Sequence, residues 1–136
     1  MSLETECTVI ITTFFSGDKL DKCLETIPKN LKKIIIDNGC EIRKKKYYEN
    51  KFSNLKYILP KSNIGIPSSY QLAWSYVDTP YIFQTQPDVV LEKNCIEELY
   101  ISAKKYTNFA ILSPITFHNN TYTANGRSEE HTSELQ

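Results

Sequence analysis

Histidine is scarce in this chain: two of 136 residues, one of them the sixth from the end. A catalytic scheme built on imidazole has little to draw on. An excess of charge is missing too, since 16 Lys+Arg balance 16 Asp+Glu, which argues against broad electrostatic capture of nucleic acid. No apolar run approaches the length of a membrane span, and Met1 to Glu6 is too polar for a signal peptide. The four cysteines (Cys7, Cys23, Cys40, Cys95) show no C-x-x-C spacing, and three sit in apolar or strand-end contexts. That pattern favours reduced core thiols over a disulfide framework or a zinc site, and the chain reads as cytosolic. Internal repeats and low-complexity linkers are absent as well. What is present is one domain's worth of ordinary globular composition, 40% hydrophobic and 12% aromatic, enough for a real core.

The last ten residues stand apart. Arg127-Ser128-Glu129-Glu130-His131-Thr132-Ser133-Glu134-Leu135-Gln136 is similar to the conceptual translation of a common sequencing-library adapter, has no apolar periodicity, and follows the break Asn125-Gly126. The expectation is a native segment 1–126 and a non-native tail 127–136 that packs against nothing and is removable at no cost in stability. Setting the tail aside takes one Arg and three Glu from the totals of 16 and 16, so residues 1–126 carry +2. His118 is then the only histidine, read as a surface residue. Asn119-Asn120-Thr121 matches a glycosylation acceptor, a pattern common by chance and unused in a cytosolic chain.

Along the chain, Thr8 to Phe15 is β-branched and aromatic on consecutive positions, as a strand buried on both faces should be. Leu20, Cys23, Leu24 and Ile27 recur at helical spacing, and Pro28 ends that helix. Lys33 to Ile36 is a second buried strand, stopped by Asp37-Asn38-Gly39. Strand, helix, strand of this kind implies a right-handed parallel crossover. Glu41 to Phe52 follows as a helix whose run Arg43-Lys44-Lys45-Lys46 reads as a solvated face in preference to a phosphate contact. Leu55 to Leu59 is a third strand. Ser62 to Ser69 is a turn into a helix, with Gly65 able to take a left-handed backbone, and Leu72, Ala73, Tyr76 and Val77 as its buried stripe. Trp74 lies off the stripe's centre, as an edge contact or as packing. Tyr81 to Thr85 is a fourth strand. Cys95, Ile96, Leu99, Ala103 and Tyr106 mark a further helix, and Phe109 to Leu112 a fifth strand closed by Ser113-Pro114. Alternating strands and helices predict a three-layer α/β domain with a mainly parallel sheet.

The chain is organised around Tyr81-Ile82-Phe83-Gln84-Thr85-Gln86-Pro87-Asp88-Val89-Val90-Leu91. Pro87 cannot donate to a ladder, so pairing should lapse there and present Asp88 at the carboxyl end of a strand, where open α/β sheets bind ligands. A carboxylate in that position suits a divalent cation that phosphate and water can help to ligate. A turn or capping Asp would look the same.

Thr-Val-Ile-Ile-Thr-Thr-Phe, Ile-Ile-Ile-Asp-Asn-Gly, Asn-Ile-Gly and Gln-Pro-Asp-Val, in that order and each at a strand's carboxyl end, resemble the family 2 glycosyltransferases of GT-A fold, from about Thr8 to Pro114. The resemblance implies the Rossmann-like, nucleotide-sugar-binding, N-terminal part of such an enzyme. Thr12 and Phe14 would line the nucleoside pocket. Asp37 would accept a hydrogen bond from the base, with Asn38 and Gly39 shaping the turn. Asn63 and Gly65 would border the ribose and pyrophosphate. Asp88 would hold Mg²⁺ or Mn²⁺ against the diphosphate. The implied reaction moves a sugar from a nucleoside-diphosphate sugar to a glycan or lipid-linked acceptor with inversion, in the setting of cell-envelope polysaccharide biosynthesis at the inner face of the membrane. The general base would lie beyond residue 126. Departures from the family pattern are Gln86 in place of Asn or Asp, polar Gln84 and Thr85 in the strand, Phe15 where an Asn is common, and Gln71 for a frequent Asn. Three other readings stand beside this one. They are a non-catalytic nucleotide-binding module of the same fold, a sugar nucleotidyltransferase, and a receiver-type domain with Asp37 as phosphoacceptor. The second lacks its Gly-rich signature, since Thr13-Phe14-Phe15-Ser16-Gly17 holds one glycine. The third lacks acidic company on the first strand.

Overall fold

A computed structural model describes residues 2–118 and 121–124, with side chains as far as residue 115. The chain falls into two compact units, residues 1–93 and 94–136.

The first unit opens with α1 (Leu3–Glu6) and β1 (Cys7–Thr13), followed by α2 (Lys19–Glu25), β2 (Lys32–Asp37), α3 (Ile42–Lys51), β3 (Leu55–Ile58), α4 (Gly65–Trp74) and β4 (Tyr81–Thr85). The four strands form one all-parallel sheet in the order β3-β2-β1-β4. Every residue of β1 is buried, which explains its unbroken apolar and β-branched run: a central parallel strand is covered on both faces.

Register assigns the two faces. Ile10 pairs with Ile34 and Ile36 with Ile58, and these side chains pack with Ala73, Tyr70, Leu72 and Val77 of α4 and the residues after it. One residue along, the alternation carries Ile11, Ile35 and Tyr57 to the opposite face. There the Tyr57 ring stacks on Tyr48 of α3 at 5.4 Å and 2°. Helix α2 joins α3 through Asp21, which accepts from Tyr47 Oη at 2.7 Å and from Lys51 Nζ at 3.3 Å. Helices therefore flank the sheet on both faces, the expected α/β arrangement.

One side chain departs from its predicted setting, and another takes one of the two expected for it. Helix α4 ends at Trp74, so Tyr76 leaves the buried stripe and lies exposed under Lys56 Nζ, 4.4 Å from its ring centroid. Trp74 is an edge contact: its Nε1–H donates to Gln84 Oε1 at 2.9 Å, which gives the polar residue in β4 a partner. In the basic run of α3, Lys44 pairs with Glu41 and Lys45 with Glu49, while Arg43 and Lys46 face solvent.

The second unit holds α5 (Cys95–Lys105) and an antiparallel pair, β5 (Ile115–His118) and β6 (Thr121–Ala124). The strand predicted at Phe109 to Leu112 is not one. Those residues have no regular structure, and Ile111 is 85% exposed. The sheet of the first unit thus has four strands, and the β-branched and aromatic residues just beyond Pro114 pair with each other instead. The tail 127–136 and the side chain of His118 lie outside the described residues.

Burial leaves a signature in alkali. Lys33 is 2% exposed and donates to the carbonyls of Lys29, Leu31 and Ser53, and burial pushes its ammonium down to about 8 from 10.5. Between those values the unfolded chain holds the extra proton, so stability rises with pH. Cys7 and Cys23 act in the opposite sense. Burial pushes both thiols up to about 11 from 9.0, so the stability they contribute is present below pH 9 and lost as pH climbs towards 11. The denaturant midpoint is expected to rise from about pH 8 to about pH 9 and to fall above it. A midpoint that falls steadily from pH 8 would remove Lys33 as a titrating group.

Candidate functional site

Because the strands are parallel, their carboxyl ends share one edge: Thr13 is level with Asp37, and Ile11 with Thr85. From β1 the chain steps outward to β2 and β3, then crosses back to place β4 on the other side of β1. The order reverses between β1 and β4, and open α/β sheets bind ligands at that switch point. An open cleft of about 390 Å³ lies there, lined by Phe14, Phe15, Ser16 and Gly17 from the loop after β1, by Lys19 at the start of α2, and by Pro87 and Asp88 from the loop after β4.

The Asp88 loop is built from its sequence. Val89 N–H donates to Gln86 C=O at 3.1 Å, closing a turn with Pro87 in its second position, the place proline's fixed φ favours. Helix α2 holds this turn at both ends. Cys23 Sγ–H donates to Gln86 C=O at 3.5 Å, and Leu91 N–H donates to Thr26 Oγ1 at 3.1 Å. Asp88 is thereby held exposed, and among the described residues neither it nor Lys19 enters an ion pair.

The other residues expected at the site lie beneath or beside this cleft. Thr12 is buried in the sheet. Asp37 is 0% exposed, and its carboxylate accepts from Tyr57 Oη at 2.8 Å, Gly39 N–H at 2.8 Å and Glu41 N–H at 3.2 Å. In this conformation its own chain closes it to a ligand. Asn38 is buried as well, donating to Ser69 Oγ at 2.8 Å and accepting from Ile64 N–H at 3.2 Å, which braces the start of α4 against the end of β2. Asn63 accepts from Gly65 N–H at 2.9 Å, an Asx turn, and Gly65 takes the left-handed backbone (φ 79°) that its lack of a Cβ permits. Of the expected residues, Phe14 and Asp88 line the cleft together; Thr12, Asp37, Asn38, Asn63 and Gly65 do not.

Phe15, noted only as a departure from the family pattern, and Lys19 line the cleft without having been expected there, as do Ser16 and Gly17. A lysine at a helix start looks like any solvated lysine, and Phe15 reads as the last residue of an aromatic strand. Its φ of +51° instead turns the chain out of the sheet.

As a cation site the cleft offers one carboxylate. Among the described residues no group of three or more His, Cys, Asp and Glu could enclose a metal ion. A protein cage is therefore not available, but Mg²⁺ commonly binds through one or two carboxylates with phosphate oxygens and water completing its shell. Asp88 fits that mode. The amino edge of the sheet carries a cleft of about 440 Å³, but its charges are engaged: Lys32 with Asp78 at 3.0 Å, Glu49 with Lys45 at 3.2 Å, and Lys33 with three carbonyls.

The chain matches the sequence profile described as Glycosyl transferase family 2 over residues 8–135. Among solved structures it is similar to S. aureus TarS residues 1–349, with a TM-score of 0.62 and 17% identity over 82% of this chain and 39% of that one. A second S. aureus TarS structure gives 0.62 and 16%, over 82% and 24%. This chain thus spans well under half of either. Among curated proteins none matches it in sequence.

Proposed function

The chain belongs to glycosyltransferase family 2, and from that premise we propose that its cleft between β1 and β4 takes the diphosphate of a nucleoside-diphosphate sugar for inverting transfer to a glycan or lipid-linked acceptor. One observation carries this reading: Asp88 and Lys19, neither ion-paired among the described residues, line one cleft at the topological switch point. Each residue has a distinct task. Lys19 supplies fixed positive charge to the phosphates. The Pro87 turn, tethered to α2, holds Asp88 where it would carry Mg²⁺ or Mn²⁺ beside them. When bound, such a cation stabilises the negative charge that builds on a departing diphosphate. Asp37, Asn38 and Asn63 keep the turns behind the cleft in place. The single carboxylate and the neutral Gln86 also favour a second reading, a nucleotide-binding module of the same fold without transfer.

Calorimetric titration of the chain with a uridine diphosphate sugar, uridine diphosphate and uridine tests the reading. The two diphosphates are expected to bind saturably and to compete, and the nucleoside to bind far more weakly. Uridine binding as tightly as its diphosphate would remove the phosphate site and the proposal with it.

A further inference from the structure

Resting on that reading of the cleft, we propose that Thr26 and Cys23 are positioning residues for the cation. By gripping the loop after β4 they fix Asp88 relative to Lys19, so that ion and ammonium engage one diphosphate together. The loop has little of its own to hold it. Residues 86–94 are turns and irregular chain, and Gln86, Asp88, Val89 and Val90 are all exposed, Val90 by 64%. Inside the loop, Val89 N–H closes one turn on Gln86 C=O. Burial therefore does not set where the carboxylate stands.

Helix α2 is the opposite case. Leu20, Cys23 and Leu24 are each 1% exposed or less, which seats the helix in the core. Cys23 Sγ–H reaches Gln86 C=O at 3.5 Å, and Thr26, at the C-cap, accepts from Leu91 N–H at 3.1 Å. The thiol is a weak donor and shares its carbonyl with Val89, so the hydroxyl is the stronger tether. Thr26 Oγ1 also donates to Cys23 C=O at 2.7 Å, which fixes its hydrogen and leaves its lone pairs for the loop. The same helix begins at Lys19. Lys19, Cys23 and Thr26 follow one another at spacings of four and three, which share one helix face. One anchored element thus carries the cleft's ammonium at its start and grips the carboxylate loop at its end. A cation on a single carboxylate takes the rest of its shell from phosphate and water, so its affinity depends on how well that carboxylate is held in advance. Lys19 sits on the helix itself and needs no tether. Loosening the loop should therefore weaken the cation's contribution and spare that of Lys19.

Equilibrium binding of the whole chain to uridine diphosphate, with Mn²⁺ and with a chelator, tests this. The unaltered chain is expected to gain about tenfold from Mn²⁺. Thr26→Val keeps the side chain's shape and removes the hydroxyl. It is expected to cut that gain to about threefold or less and to leave the metal-free affinity within about twofold. Thr26→Ser, which keeps the hydroxyl, should retain the full gain. Cys23→Ala releases the loop's other end and should cut the gain in the same direction, which carries the comparison if Thr26→Val does not fold. The paramagnetic signal of free Mn²⁺ is a second readout: ion bound beyond what the nucleotide alone takes up should shrink in Thr26→Val and stay in Thr26→Ser. A merely structural role predicts that metal-free and metal-assisted binding fall by the same factor, and that outcome overturns the proposal. A full Mn²⁺ gain in both Thr26→Val and Cys23→Ala overturns it too, while leaving the phosphate reading of the cleft in place. If Mn²⁺ gives no gain in the unaltered chain, the cation reading of Asp88 fails and this inference with it.

Discussion

Asp37→Ala is expected to destabilise the fold by about 3–5 kcal/mol, the largest single-residue effect in the first unit. The substitution strips acceptors from Tyr57 Oη, which is buried, and from the partly buried Gly39 N–H and Glu41 N–H. A buried donor left alone costs about 1–3 kcal/mol, the two partly buried amides cost less, and the three share one site, so the losses add incompletely. Tyr57 cannot simply turn away, because its ring is stacked flat on Tyr48. Asp37→Asn keeps one oxygen acceptor and its amide can donate to the Tyr57 hydroxyl, so its loss should be less than half as large. Urea unfolding of the two variants beside Tyr57→Phe measures this. An Asp37→Ala loss below about 1 kcal/mol would mean that the three contacts do not hold the carboxylate as described.

That same network shows where reading the sequence stops. The strands β1 and β2 were legible because parallel strands covered on both faces must be continuously apolar, and β4, half-exposed at the sheet's edge, because β-branched and aromatic residues run between turn residues. Asp37 was legible as a residue at a strand's end. Its donor Tyr57 was not, because the pairing depends on β2–β3 register, which places Ile35 beside Tyr57 and so brings position 37 to the same face. Phe109 to Leu112 failed for a related reason: four apolar residues fit a strand, yet periodicity carries no information on whether a neighbouring strand exists to receive them. Among the residues of the cleft, Asp88 was legible through Pro87, since a proline in that position ends pairing whatever the tertiary context. Lys19 and Phe15 were not, because what sets them apart is position on a shared edge and a backbone angle. Gln84 looked like an anomaly until Trp74 supplied its partner.

Position on that edge also separates the two charges of the cleft by experiment. If a diphosphate lies between Lys19 and a cation on Asp88, nucleotide binding to the unaltered chain should strengthen about tenfold when Mn²⁺ replaces a chelator. Asp88→Asn should erase that difference while leaving the metal-free affinity equal or slightly better, since a negative charge near the phosphates has gone. Lys19→Met should weaken binding about equally with and without metal, and more at low salt than at high, because an exposed ammonium acts through a screened field. A readout independent of nucleotide affinity is the paramagnetic spectrum of Mn²⁺. Free ion should decrease when the chain and uridine diphosphate are added together, by more than the nucleotide alone accounts for, and Asp88→Asn should abolish that excess. Metal dependence that survives Asp88→Asn would move the cation to other ligands. Binding that ignores metal in every variant would leave Lys19 as the phosphate's sole charge partner in the cleft, and then the nucleotide-binding module without transfer becomes the better account. The separation works because one residue meets the phosphates through an ion it must share and the other meets them with its own charge.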